Sequence, residues 1–284
     1  RVKILLLGNK GALGSAICKE LIKKKVPYYS LNRNQYDPIK NFKQIDLLLK
    51  KGTTLVINCI SLNGIKFCEE NPKLAFKVNS NFPIILSKFL SKRKINLINF
   101  STEAVYSGYI KKKLYSENIK AKPNTIYGKS KLYADNYLIK MKNAKTIRLP
   151  LLFGPTHKKQ IIYKLLKQLN DNKKIYVSND IFSTPIYTPA LCDKIINLVV
   201  KIKFEHIGSV NNYYSKYYSM FDLIKKFAVI MKKKNFLIEV NEKYFKSDFI
   251  KPKNLGLTSK KKNHFIKNPN FFKILYDLKF IKKK

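Results

Sequence analysis

The chain of 284 residues has no tryptophan, only four cysteines and ten glycines, and just 17 acidic residues against 58 basic ones. Each scarcity excludes something. Cys18, Cys59, Cys68 and Cys192 show neither C-x-x-C spacing nor the density of a disulfide scaffold, so they read as reduced thiols. No apolar run approaches the roughly 18 residues that span a bilayer, and no signal-peptide pattern opens the chain, which predicts a soluble cytoplasmic protein with no membrane partner. His157, His206 and His264 have no metal-ligand spacing; they are expected at the surface or in packing, and no metal site is expected.

Arginine is also scarce. The formal charge of +41 invites a polyanion partner, but the arginines are only Arg1, Arg33, Arg93 and Arg148. Base readout and bidentate phosphate contacts favour arginine's planar fork, and the lysines are spread over nearly every segment, as on solvated faces. Abundant Lys, Asn, Ile, Tyr and Phe with few Gly, Ala and Arg fit codon drift in an AT-rich genome. No specific nucleic-acid partner is expected, although such a surface attracts polyanions nonspecifically.

What is present is a hydrophobic fraction of 45%, enough for a substantial core. VKILLLG, 2 to 8, reads as a buried parallel strand; residues 15 to 25 have helical spacing; VPYYSLNR, TLVINCI and INLINFS supply further strands. LAFKVNSNFPIILSKFL reads as one long helix, and the helix of YGKSKLYADNYLIKM leads into the strand KTIRLPLLFG. Alternating strands and helices predict an α/β fold, a Rossmann-type doubly wound parallel sheet. Residues 1–150 form the expected NAD(P)-binding domain. Residues 151–284 are mainly a smaller substrate-binding lobe, with some segments returning to the sheet. The aromatic stretch 210 to 221 suits pocket lining and ordinary packing equally. The KKK runs at 111 to 113, 232 to 234, 260 to 262 and 282 to 284 read as loops, helix ends or a terminus.

GNKGALG places Gly8, Gly11 and Gly14 where the first strand turns into the first helix. Gly8 permits the tight turn, Gly11 lets backbone approach a pyrophosphate, and Gly14 allows close helix packing, with the pyrophosphate at the helix N-terminus. Chance would put three glycines at this spacing in roughly one such sequence in a hundred. The loop as a whole, Gly8, Lys10, Gly11, Ala12, Leu13 and Gly14, is the expected cofactor cradle. The second strand ends in Asn32-Arg33 instead of an acidic residue. Arg33 can pair with a 2′-phosphate that a carboxylate would repel, so NADP, as NADPH, is expected, with NAD the alternative.

Tyr-x-x-x-Lys occurs four times, at Tyr36/Lys40, Tyr109/Lys113, Tyr127/Lys131 and Tyr163/Lys167, and about three such pairs are expected by chance. Context separates them. Only Tyr127/Lys131 follows a strand ending in STEAVYSG and opens a helix after the glycine loop. Residues four apart share a helix face, so the Lys131 ammonium is expected near the Tyr127 phenol, lowering its pKa toward neutrality.

Glycine loop, strand-end Thr102 and Tyr127-x-x-x-Lys131 together resemble the extended short-chain dehydrogenase/reductases, and within them the dTDP-4-dehydrorhamnose reductase group. ILLLGNKGALG, VINCISLNGIKFCEENPKLAFKVNSN, STEAVYSG, PNTIYGKSKL, FSTPIYTPAL and KPKNLGLTSKK carry the resemblance over nearly the whole chain. It implies NADPH-dependent reduction of the 4-keto group of a nucleotide-linked 6-deoxy sugar, in surface polysaccharide biosynthesis. Thr102, Tyr127 and Lys131 would be catalytic, with Lys131 also binding the nicotinamide ribose. Asp46 and Leu47 would lie near the adenine, and Ile60, Ser61 and Leu62 near the ribose and nicotinamide. Substrate would meet Thr102, Glu103, Ala104, Tyr127 and Leu151, the last standing where the group often has Trp. Related 4,6-dehydratases carry Thr-Asp-Glu; Thr102-Glu103-Ala104 lacks the second carboxylate, which disfavours elimination. A nucleotide-sugar epimerase and a noncatalytic NADP-binding regulatory subunit are the competing readings, and a homodimer is compatible with the resemblance.

Overall fold

The computed structural model describes residues 2–109, 114–246 and 252–282. The lysine run at 111 to 113, and with it Lys113 of the Tyr109/Lys113 pair, lies outside the described residues, as do the last two lysines of the run at 282 to 284. Six parallel strands form the central sheet: β1 (Ile4–Leu7), β2 (Tyr28–Leu31), β3 (Leu55–Asn58), β4 (Asn96–Thr102), β5 (Ala144–Leu149) and β6 (Val210–Asn212). Their order is β2-β1-β3-β4-β5-β6, so the chain reverses its direction of growth between β1 and β3. In such doubly wound sheets that switch point opens a crevice at the carboxyl ends of the strands.

The helices that matter for the site are α1 (Ala12–Lys23), α2 (Phe82–Lys92), α3 (Ile126–Leu138), α4 (Ile161–Asn170), α5 (Thr188–Lys201), α6 (Met220–Ile230) and α7 (Phe271–Asp277). Alternation along β1 explains the layers. Ile4 and Leu6 join Ile17 and Leu21 of α1 and Ile195 and Ile196 of α5 on one face. Leu5 and Leu7 join Leu86 and Leu90 of α2 and Ala134 and Leu138 of α3 on the other. Successive side chains point to opposite faces, and helices cover both, so the strand is apolar at every position. A separate cluster of Phe153, Leu166, Phe227 and Leu275 joins α4, α6 and α7. The chain past residue 150 builds that cluster and also returns α5 and β6 to the sheet.

Two elements differ from the sequence reading. LAFKVNSNFPIILSKFL is helical throughout, but with a π-turn inside it: helix Pro72–Phe76, π-helical turn Lys77–Asn81 and α2 follow one another without a break. The extra residue of a π-turn rotates the side chains after it, and here it turns Asn79 inward. KTIRLPLLFG divides at Pro150, which has no N–H for the ladder; Leu152–Phe153 pairs instead with Ile186–Tyr187. Residues 210 to 221 do both: Tyr213 is buried and stacks on His264 and Tyr217 stacks on Phe182, while Tyr218 and Met220 line an apolar chamber. Among the described residues no helix is long and apolar enough to cross a membrane.

Candidate active site

The glycine loop lies at the carboxyl end of β1 and is fastened to its neighbour, Gly8 N–H donating to Leu31 O at 2.8 Å. Gly8 has φ +82°. A Cβ on Gly14 would lie 2.2 Å from Gly8 O, so only glycine lets α1 start this close to the strand. Helix α1 begins at Gly11 with no side-chain cap, and Gly11, Ala12 and Leu13 line a cavity of about 460 Å³. Uncapped amides at the positive end of a helix, opening onto this cavity, fit the pyrophosphate of a dinucleotide.

Gly8, Lys10 and Gly14 shape or flank the loop without lining the cavity, Lys10 being exposed. Asn32 ends β2 in a tight turn, its Oδ1 accepting from the N–H groups of Asn34 and Gln35. Arg33 is exposed, its Nε 3.4 Å from the Asp37 carboxylate. Asp46 and Leu47 do not reach the crevice, which corrects the sequence reading. They occupy the outer face of a short helix, Gln44–Leu48, that buries Ile45 instead; Asp46 pairs with Arg93 at 2.7 Å and Leu47 is 88% exposed.

The same cavity is lined by Ile60, Ser61, Thr102, Glu103, Ala104, Tyr127, Lys131 and Leu151, so the strand-end and helix residues singled out in the sequence converge. Local physics places them. Thr125 caps α3, its Oγ1 accepting from Gly128 N–H at 3.1 Å. A Cβ on Gly128 would stand 2.1 Å from Ala104 O, so glycine allows α3 to press onto the end of β4. Thr102 Oγ1 accepts from Ala104 N–H at 3.2 Å, closing the turn that follows the strand.

The electrostatics differ from the sequence expectation. Burial pushes the Tyr127 phenol up to about 12, and its hydrogen bonds with Thr102 and Ser61 offset only part of that. The Lys131 ammonium does not stabilise a phenolate here. It donates to Phe100 O at 3.0 Å, and burial lowers its pKa to about 8 against the opposing pull of Asp135. Tyr127 is therefore a protonated donor near neutrality.

Behind Lys131 lies a network that residue spacing did not reveal. Asp135, one further turn along α3, accepts from Ser101 Oγ and from Arg148 Nε, both at 2.9 Å, and Arg148 Nη1 donates to Tyr106 Oη at 2.9 Å. It ties α3 to β4 and β5 and fixes the register of Tyr127 against Thr102. Asn79 was also missed. Its Oδ1 accepts from Ser61 Oγ and Leu62 N–H, and its Nδ2 donates to Leu62 O and Ser130 Oγ. Leu62 thereby supports the loop after β3 rather than lining the cavity. The signal for Asn79 was the π-turn, which sequence periodicity does not register.

On the remaining side, Glu103 is partly buried. Ser183 Oγ donates to its Oε2 at 2.7 Å, and burial raises its pKa to about 8 despite hydrogen bonds from Ser183 and the Leu151 amide. Glu103, Leu151 and Leu255 also line an adjoining apolar chamber of about 160 Å³, together with Phe182, Tyr218 and Met220. His264 packs as expected and His206 is exposed. His157 is buried and also lines the cavity, because the turn after Gly154 folds it inward. Among the described residues no cluster of His, Cys, Asp and Glu could hold a metal ion.

Comparison with known proteins agrees with this geometry. A probable low-salt glycan biosynthesis reductase, Agl14, of Haloferax volcanii is 28% identical over 158 residues, covering 52% of each chain. A dTDP-4-keto-6-deoxy-D-glucose reductase of Streptomyces niveus is 22% identical over 197 residues, 69% of this chain and 68% of the relative. The matched region thus spans between half and about two thirds of these curated relatives. Among solved structures, a dTDP-4-dehydrorhamnose reductase of Bacillus anthracis in complex with NADP superposes with a TM-score of 0.85 at 20% identity, covering 97% of each chain. Residues 2–267 match the family described as the RmlD substrate binding domain, which takes in the glycine loop, the Thr102, Tyr127 and Lys131 constellation and the chamber beyond Glu103, and the chain belongs to that family.

Proposed function

We propose that the protein reduces the 4-keto group of a nucleotide-linked 6-deoxy sugar with NADPH, making an activated deoxysugar for polysaccharide synthesis. The observation that carries this reading is the convergence of the Tyr127 and Thr102 side chains and the Lys131 ammonium in one cavity that begins at the uncapped start of α1. The names of the relatives support the substrate class, and the absence of a second carboxylate beside Glu103 argues against elimination.

NADPH, when bound, supplies the hydride to the carbonyl carbon. Thr102 and Tyr127 hydrogen-bond the carbonyl oxygen and polarise it. As negative charge develops there, Tyr127 Oη gives up its proton, so the carbonyl becomes an alcohol and the phenol a phenolate. A pKa near 12 keeps the proton in place until the oxygen becomes the stronger base. Lys131, drawn away from its Phe100 carbonyl, is the cation that stabilises the phenolate and holds the cofactor's ribose. Asp135 and Arg148 position it from behind, and Arg33 is the candidate partner for a 2′-phosphate.

Absorbance at the NADPH band tests the reading, with dTDP-4-keto-6-deoxy-L-lyxo-hexulose as substrate. The wild type oxidises NADPH, and Tyr127→Phe binds NADPH normally but turns over at least ~100-fold more slowly. Full activity in Tyr127→Phe would sink the mechanism.

A further inference from the structure

Most polar groups that line the cavity are already engaged by the protein. Asn58 donates to Asn99, Ser61 and Ser101 donate to Asn79 and Asp135, Glu103 accepts from Ser183, and Lys131 donates to Phe100 O. His157 is different. It is 5% exposed, and neither Nδ1 nor Nε2 bonds to another protein group. Its backbone is nevertheless fixed, since its N–H donates to Gly154 O and its carbonyl accepts from Gln160 N–H, both at 2.9 Å, at the entry to α4. The backbone that carries the ring is thus fixed, and His157 lines the cavity together with Leu151, Leu152 and Gln160. Burial of a polar ring with both functional atoms unspent is unfavourable unless a ligand engages them.

The chemistry of the ring limits that ligand. Desolvation lowers the imidazole pKa to about 4, so near neutrality it offers one N–H donor and one lone pair. A hydroxyl, itself donor and acceptor, satisfies either nitrogen. A diphosphate only accepts, so it can meet the N–H but never the lone pair, whereas sugar hydroxyls can meet both nitrogens. Leu151 and Leu152, which line the same cavity, supply apolar surface.

Resting on the reductase reading of this cavity, we infer that His157 is a specificity residue that hydrogen-bonds a hydroxyl of the substrate's sugar ring while the carbonyl lies against Thr102 and Tyr127. Histidine at this position selects sugars by the presence and configuration of that hydroxyl, and it acts on binding of the sugar, leaving the nucleotide and NADPH to other residues.

Calorimetric titration of the full chain with NADPH bound tests this, using dTDP-rhamnose, dTDP alone, and a set of UDP- and GDP-linked sugars. For the sugar nucleotide that the wild type binds, His157→Phe weakens affinity roughly tenfold. The same variant leaves the affinity for the free nucleoside diphosphate and for NADPH unchanged, and His157→Gln, which keeps a donor and an acceptor, recovers part of the loss. Equal weakening of sugar nucleotide and free nucleotide, or of neither, would overturn the inference while leaving the reductase reading intact. If the wild type binds no sugar nucleotide, both fall together. Should His157→Phe fail to fold, the ring resonances of the wild type decide, because the chain has only three histidines to assign. The sugar nucleotide must shift the His157 ring signals and the free nucleotide must not; any other pattern overturns the assignment.

Discussion

Glu103 offers a quantitative check on how the substrate side of the cavity is built. Its carboxyl titrates near 8 in the folded chain against an ordinary value of 4.5, the cause being burial that Ser183 and the Leu151 amide only partly relieve. The sign follows from proton uptake. Between those two values the folded chain holds a proton that the unfolded chain has lost, so this group lowers stability as pH rises through the window, by up to ~1.4 kcal/mol per pH unit. Part of Glu103 faces the cavity, where solvent relieves the ionised form, and we take the total as about 2–3 kcal/mol between pH 5 and pH 8.5. Glu103→Gln keeps the shape and removes the titration. Urea unfolding of wild type and variant at both pH values reads the difference. At pH 5 the two proteins unfold within a few tenths of a molar of each other; at pH 8.5 the variant's midpoint lies higher by roughly 1 M. A gap between the two that does not grow with pH would refute the claim that Glu103 is held protonated.

The helix that carries the proton donor gives two more tests. Gly128→Ala sets a methyl group 2.1 Å from Ala104 O and 2.8 Å from Pro123 Cβ, so α3 must back away from β4, at a cost of about 1–3 kcal/mol. Tyr127 moves with it, and kcat/KM for NADPH oxidation falls about 100-fold; wild-type kinetics in a folded Gly128→Ala variant would show that the close approach does not matter. Asp135→Asn removes the charge opposite buried Arg148, which destabilises the fold by about 3–5 kcal/mol in thermal or chemical unfolding. Because Asp135 holds the Lys131 pKa up, the alkaline limb of the pH–rate profile also moves down, and an unmoved limb would separate Asp135 from Lys131.

The parts of the site legible in sequence are those that depend on backbone. The turn at Gly8, the packing of Gly14 and the strand-to-helix order each follow from local conformational demands that leave a mark in residue type and spacing. Tyr127 was separable from three similar pairs because its surroundings, a strand end before it and a helix start at it, are also local. Asp46 and Leu47 were placed by resemblance alone, and the 3.6-residue period of the short helix Gln44–Leu48 turns Ile45 inward and its neighbours outward. The direction of the Tyr127 pKa failed for another reason: sharing a helix face does not fix where a long lysine side chain points, and the Phe100 carbonyl and Asp135 hold Lys131 from parts of the fold that spacing alone does not reveal. His157 was illegible because its inward turn depends on Gly154, at φ +150°, and on the packing of α4.

That division bears on how function can vary within this fold. On the cofactor side the loop is shaped by its main chain: an added Cβ on Gly14 would stand 2.2 Å from the Gly8 carbonyl oxygen. Compositional drift that fills a surface with lysine cannot alter such a position without unfolding the turn. On the reductase reading proposed above, recognition of the sugar falls to side chains standing on that frame: Glu103 beside Thr102, Leu151 and His157 lining the cavity, and Phe182 and Tyr218 in the chamber beyond. Each of these can be exchanged at the cost of a contact rather than of the fold. The fold can therefore be shared at a TM-score of 0.85 with only 20% identity, which leaves such side chains free to vary. On that reading, Glu103, Leu151 and His157 are the residues to exchange in altering the choice of sugar, whereas Gly14, Gly128 and Asp135 carry the frame on which they stand.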